Sequence, residues 1–468
     1  MGVHCGTTRA RGASLLAVLL LTSSLAACSA STASPTGTTQ APATGQATTS
    51  PQTSPSSTAS SCQPSSGPVT LTFWSWMPGI DKIVALWNKE NPNIQVDVKV
   101  VPGGSSGTYS NISNALKSGT APDMAMIEQE VLPSYRSQGG LTDISGCAGV
   151  AAAKSAFVPY AWSMVTMGSV GVYGIPTDLG PLVLYYRKDI FAKYGIAVPT
   201  TWDEYYQAAK TIKAQDPSAS ITDFSSTGAW LTALIWQNGG KPFQVSDTAV
   251  KIDLASPAAN QVAAYWQTMI DEKLVRTDLA PWSAGEFAAL GNGTLVTSIG
   301  AVWDSALMSG NVKAATGNWA VAMLPQWQAG ATASGNWGGS TTAVLSSSKH
   351  PYEAAKFALW LATDPDAMGM VIGDAGGYPP TLAGLDLPAM KQGNAYFGGQ
   401  DIYDVVKVAA QGVASGWQWS PNQLAIDGFL GDELTKAIGG QETITEALAA
   451  AQAKAIADLK AQGIPTAP

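Results

Sequence analysis

Sixteen tryptophans stand out among the residues of this 468-residue sequence that can do chemistry. Many sit beside glycine, serine or asparagine, where turns belong: Trp74-Ser75-Trp76-Met77-Pro78-Gly79, Gly228-Ala229-Trp230, Val302-Trp303-Asp304, Asn336-Trp337-Gly338-Gly339 and Gly416-Trp417-Gln418-Trp419. A rigid indole at a loop tip offers a flat apolar face with little entropy to lose. The C–H face of a pyranose matches that surface, and nearby amides and carboxylates can bond the hydroxyl rim. Core packing competes for every indole. Trp74 (in a strand) and Trp87, Trp202, Trp266 and Trp360 (on helices) are assigned to the core.

Reactive constellations are sparse. His350, just before Pro351, is the one histidine beyond the N-terminal segment and reads as an exposed helix-entry residue. No HExxH or GxxxxGK[ST] pattern occurs, so zincin and P-loop chemistry lack their signals. Gly239-Gly240-Lys241 runs into Pro242, and Gly291-Asn292-Gly293 lacks a third glycine. No cofactor is implied and the chain reads as a non-enzyme, although paired carboxylates of the glycosidase kind meet only in a fold. The formal charge of −8 argues against nucleic acid, whose binders carry a basic face.

The N-terminal segment sets the compartment. Residues 1–27 carry Arg9 and Arg11, then the apolar run 15–21, then Leu25-Ala26-Ala27 before Cys28. A basic start, a short apolar stretch and small residues make a secretory signal, and the run is too short for the ~20 residues of a membrane span. Leu-Ala-Ala-Cys resembles a bacterial lipobox, which implies lipidation of Cys28 and anchoring outside the cytoplasm, with membrane contact through the lipid alone. Residues 29–61 lack charged, aromatic and large aliphatic side chains, so 28–66 reads as a lipidated cysteine with a disordered tether. Cys62 and Cys147 remain, either a disulfide in an oxidising compartment or two free thiols.

The elements that must position the tryptophans follow from patterning. Residues 69–74 and 94–100 alternate as strands around a helix over 80–90, whose Ile80, Ile83, Val84 and Trp87 share a face. That β–α–β order implies a parallel pair. A third strand falls at 124–127. Thr201-Trp202-Asp203-Glu204 is a capping box opening a helix to about 215, and Thr443 with Glu446 opens another. Helices also fit 258–272 and 351–363. The class is α/β, and the length allows two or three domains or one domain of two large lobes.

With these pieces in order, the sequence resembles the family 1 extracellular solute-binding proteins of ABC importers, the maltose-binding-protein-like group. The resemblance rests on 71–76, Trp87-Asn88-Lys89-Glu90-Asn91-Pro92-Asn93-Ile94, 116–123, Tyr173-Gly174-Ile175-Pro176-Thr177-Asp178-Leu179-Gly180-Pro181, 185–189, 199–204, 237–240 and 338–340. It implies a type II periplasmic-binding-protein-like fold, with a ligand cleft between two α/β lobes joined by hinge crossovers near 178–182, 337–343 and 381–392. Lobe one would be 67–179 with 340–385, and lobe two 180–339 with 386–468. Loops at the carboxyl ends of strands line such a cleft, which places Trp76, Met77, Glu128 and Gln129 there. The resemblance adds Asp178 from the first crossover, Trp230 and Trp303 as stacking residues of lobe two, Trp337 and Gly338 from the second crossover, Tyr378, and Trp417 or its neighbour Trp419. The implied function is capture of a mono- or oligosaccharide by a monomeric receptor that serves an ABC permease. A receptor for a polyamine, glycerophosphodiester or peptide, and a secreted glycoside hydrolase, are the alternatives.

Overall fold

The computed structural model describes residues 62–147, 149–246 and 248–468. The signal segment, the lipobox with Cys28, and the tether up to residue 61 lie outside the described residues.

Twelve strands are β1 Val69–Ser75, β2 Ile94–Val100, β3 Met124–Glu128, β4 Ile175–Pro176, β5 Leu182–Arg187, β6 Thr222–Asp223, β7 Phe243–Val245, β8 Val250–Ile252, β9 Val275–Arg276, β10 Thr297–Ala301, β11 Trp319–Ala322 and β12 Ser340–Val344. In β1 the alternation puts Val69, Leu71, Phe73 and Ser75 inward and leaves Trp74 half-buried under the Lys99 ammonium. Helix Ile80–Glu90 carries the chain from β1 to β2, and the two pair in parallel from Val69–Ile94 to Ser75–Val100. β3 joins on the other side of β1, and β12 and β4 complete a sheet of order β2-β1-β3-β12-β4. One apolar cluster packs on this sheet, drawing on residues 62–175 and 343–375. The Cys62–Cys147 disulfide, with Cα atoms 4.9 Å apart, ties its first residue to the segment after Ile144.

A second sheet has the order β10-β5-β11, all antiparallel. Backbone bonds from Val296 N–H to Ser220 O (3.2 Å) and from Thr297 N–H to Ile221 O (2.7 Å) extend it towards the β6–β9 pair. Helix Trp202–Gln215 packs here behind its capping box, in which Thr201 and Glu204 bond each other's backbone N–H. Helix Ile444–Ala461 opens on the same device at Thr443 and Glu446. The large second cluster includes Trp202, Trp230, Trp266, Trp417 and Trp419. A third cluster joins Ala161, Met368 and Ile372 to Val183, Val321 and Val406, so apolar packing continues past the expected lobe boundary.

Between the sheets the chain passes back and forth as paired extended segments. Thr177 N–H bonds Ser340 O (2.8 Å), Trp337 N–H bonds Gly180 O (2.8 Å), Leu182 N–H bonds Gly335 O (3.0 Å) and Leu179 N–H bonds Tyr378 O (2.9 Å). The third pass therefore lies at Gly377–Tyr378, before the expected 381–392, where short 3-10 turns occur instead. Further bonds link the lobes, among them Leu424 N–H to Ser134 Oγ (3.0 Å), Ser137 Oγ–H to Pro421 O (3.1 Å) and Tyr403 Oη–H to Ile372 O (3.2 Å). His350 is not free in solvent but caps the helix Pro351–Thr363, with its Nδ1 3.0 Å from Ser65 Oγ.

Candidate functional site

The carboxyl ends of β1 and β3 meet the crossovers at a cavity of about 380 Å³. Trp76 and Met77 follow β1, Glu128 ends β3, and Asp178, Gly339 and Ser340 come from the crossovers. Trp282, Trp303 and Leu307 close the far side. The half-buried Trp76 and Trp303 and the more exposed Trp282 thus face the cavity from both sides. Trp76 packs edge-on to Tyr109 at 5.9 Å. Trp303 is held by its indole N–H on Trp337 O (3.1 Å) and packs on Trp337 at 5.3 Å. Trp337 itself is buried and stacks on Trp282 at 5.3 Å. Gly338, at φ +67°, passes between Trp303 and Glu128, where a Cβ would sit 3.4 Å from the indole nitrogen.

The carboxylates are placed to accept bonds. Asp178 Oδ1 accepts the Ser340 N–H at 2.6 Å while the residue lines the cavity, so it both clamps the hinge and faces the ligand space. Burial raises it above the usual carboxylate range against that bond. The Tyr109 hydroxyl donates to Glu128 Oε2. Burial raises Glu128 as well, the tyrosine bond opposes this, and the Asp178 charge adds to it. Glu130 and Asp427, from the helix Gln423–Ile438, join this group: burial raises both, Asp427 to about 7, and each feels the Glu128 charge.

Six of the expected ligand residues do not line this cavity: Gly338, the buried Trp337, which lines the smaller pocket beside Trp282, and the four that follow. Gln129 is buried behind Gly339; its Nε2 donates to Asp178 O (3.2 Å), so it braces the crossover. Trp230 is core: it packs on Trp266 at 5.1 Å and donates its indole N–H to Ile299 O (2.9 Å). Tyr378 is buried in the third cluster and meets the hinge through its carbonyl. Trp417 lies flat on Trp236 at 4.1 Å and lines a separate hollow of about 560 Å³ together with Trp419. Each was itself expected in the cleft, and spacing does not say which way a side chain turns.

Trp282 was missed. Its flank, Pro281-Trp282-Ser283, is the same kind of turn signal as the others. Tyr109 and Asp427 sit within helices and give no such signal. Beside Trp282 lies a buried acid group: burial raises Asp304 to about 7, Glu286 to about 8 and Asp223 to about 6. Unfolded carboxylates titrate near pH 4, so from there to about pH 8 the folded protein holds more protons than the unfolded chain. Stability should therefore fall as pH rises through that window. The thermal midpoint of ligand-free protein is expected to drop by several degrees between pH 5 and 8; a flat or rising midpoint would contradict these burials.

Among the described residues no cluster of three or more His, Cys, Asp or Glu could hold a metal ion, and no helix is long and apolar enough to cross a membrane.

Comparison with known proteins bears on the whole arrangement. The family model for bacterial extracellular solute-binding proteins matches residues 74–368. The lactose-binding protein of Rhizobium radiobacter is 26% identical over 362 residues, 73% of this chain and 82% of that protein. Among solved structures, the ABC transporter-associated binding protein from B. animalis subsp. lactis Bl-04, in complex with beta-1,6-galactobiose, is 31% identical with a TM-score of 0.78, over 86% of this chain and all (100%) of that one. The galacto-N-biose-/lacto-N-biose I-binding protein of the ABC transporter from Bifidobacterium longum, in complex with lacto-N-biose, is 28% identical with a TM-score of 0.78, over 86% and 100%. The fold is the type II periplasmic-binding-protein fold, with two α/β lobes around a cleft. With more than half of its length matched by the family model, the chain belongs to the bacterial extracellular solute-binding protein family and is an extracytoplasmic binding protein, not an enzyme.

Proposed function

We propose that this protein is a carbohydrate receptor, lipid-anchored through Cys28 and monomeric, that delivers its sugar to an ABC transporter permease. The cavity carries the reading: indoles Trp76, Trp282 and Trp303 face it from both lobes, and Glu128 and Asp178 stand at its rim. Apolar faces with carboxylate acceptors between them suit a saccharide. Relatives named for lactose binding, and structures in complex with galactobiose and lacto-N-biose, support it. In this reading 67–179 with 340–376 forms lobe one and 180–339 with 379–468 forms lobe two, the pass at Gly377–Tyr378 taking the place of the expected boundary at 385. A ligand that touches both lobes favours the closed form through its differential affinity.

A thermal-shift screen against mono- to tetrasaccharides tests the proposal, since ligand bound only to the native state raises the midpoint. At least one sugar should do so and should also reduce the radius of gyration in solution scattering. If none raises the midpoint, the carbohydrate reading fails; if a bound sugar leaves the radius unchanged, closure fails. Loss of membrane retention in Cys28→Ser checks the anchor. A cationic solute is the second reading, favoured by Glu130 and Asp427 beside Glu128. Spermidine in the same screen decides it: a shift with spermidine and with no saccharide would replace the sugar.

A further inference from the structure

Trp282 lines two cavities at once. One face looks onto the main cleft, and behind it lies a smaller pocket of about 40 Å³ walled by Asp223, Ser225, Trp230, Glu286 and Asp304. The indole is the partition between them. Its backbone sits at φ +56°, a left-handed conformation that is an outlier for a bulky residue and persists only where its surroundings over-determine it. Here they do. Ser283 caps the helix Ala284–Asn292 by accepting the Glu286 N–H, and the Glu286 carboxylate turns back to accept the Trp282 N–H. The indole N–H donates to Asp304 Oδ1 (2.9 Å), and the ring stacks on Trp337 at an interplanar angle of 25°. Backbone, ring edge and ring face are each held, so this tryptophan is a fixed wall and not a swinging gate.

We infer that Trp282 sets the length of ligand the cleft accepts, because its indole fills the space that, joined to the small pocket behind it, would take one more sugar unit. The inference rests on the carbohydrate reading. The pocket behind the indole has the lining of a saccharide subsite, with an aromatic face (Trp230), a hydroxyl (Ser225) and carboxylate acceptors (Asp223, Asp304). A rigid side chain that excludes the longer ligand gives specificity by clash and not by added attraction. Asp304 acts through Trp282 and is a positioning residue: Asp304→Asn keeps an acceptor for the indole and should preserve the wall, while Asp304→Ala should loosen it.

The test uses galactose, β-1,6-galactobiose and β-1,6-galactotriose as probes in calorimetric titrations of wild type, Trp282→Ala and Trp282→Phe. Wild type should favour the biose. Trp282→Ala should raise the triose-to-biose affinity ratio at least fivefold, and Trp282→Phe, which keeps a ring but loses the bond to Asp304, should give a ratio between those of wild type and Trp282→Ala. A folded Trp282→Ala with an unchanged ratio overturns the inference and leaves the carbohydrate reading standing. If Trp282→Ala does not fold, the ratio in Asp304→Ala against Asp304→Asn decides instead: equal ratios overturn it. Absence of binding to all three probes by every one of these proteins overturns the inference, and the wider saccharide screen still decides the carbohydrate reading.

Discussion

Trp303→Ala is expected to weaken sugar binding about thirtyfold while the protein still folds. The indole is half-buried, and its exposed face is turned to the cavity that Trp76 lines from the opposite lobe. Truncating an aromatic anchor in a desolvated pocket costs roughly 2 kcal/mol or more, and about 1.4 kcal/mol is a factor of ten. Its one polar link, to Trp337 O at 3.1 Å, is worth only about 1 kcal/mol, so the midpoint should fall little. Trp230→Ala is the contrast. That ring is 6% exposed, packed on Trp266 and Phe224, with its N–H satisfied by Ile299 O. Its truncation should cost about 3–5 kcal/mol of stability with no direct loss of a ligand contact. Titration and thermal melts of both variants separate the roles, and wild-type affinity in Trp303→Ala would remove that residue from the site.

These two tryptophans also show how far a sequence can be read. Both stand beside turn residues, and nothing in their neighbours distinguishes them. What separates them is the fold: Gly228 opens a helix whose next turn is driven into the core by Leu231, Leu234 and Ile235, whereas Trp303 ends a β10 turn facing the crossovers. Periodicity located helix Ile80–Glu90, strands β1 to β3 and both capping boxes, because those signals are local. The rule that clefts form at the carboxyl ends of strands points to Trp76 and Glu128, and both line the cavity. It overshot at Gln129, one residue on, where the side chain turns behind the crossover. Asp427 gave no local signal, because its proximity to Glu128 and Glu130 exists only once the distant helix Gln423–Ile438 meets the end of β3. The third crossover was displaced for a related reason: the extended Gly377–Tyr378 stretch is short, and only its bond to Leu179 marks it as a strand.

Gly180→Ala should be far more damaging to the hinge than Gly338→Ala. Gly338 is the glycine that a close approach to ligand would single out, and its φ of +67° does favour glycine. An alanine there meets its nearest neighbour at 3.4 Å, the Trp303 indole nitrogen, so the main penalty is the backbone conformation, roughly 1–2 kcal/mol. Gly180 is constrained by space instead. A Cβ on it would lie 1.9 Å from the Trp337 carbonyl oxygen and 2.9 Å from its carbon. Both are backbone atoms of the segment that bonds Gly180 itself, through Trp337 N–H to Gly180 O. Neither segment can give way without parting the pair, and the Trp337 oxygen also accepts the Trp303 indole N–H. Overpacking costs about 1–3 kcal/mol, and each hydrogen bond lost adds about 1 kcal/mol. The expected loss is therefore about 3 kcal/mol or more, with sugar affinity falling alongside because the wall formed by Trp303 and Trp337 moves. Chemical denaturation and titration of Gly180→Ala beside Gly338→Ala measure the difference. Equal, small losses in the two variants would mean that the crossovers do not pack as tightly as this pairing requires, and that the hinge takes its register from elsewhere.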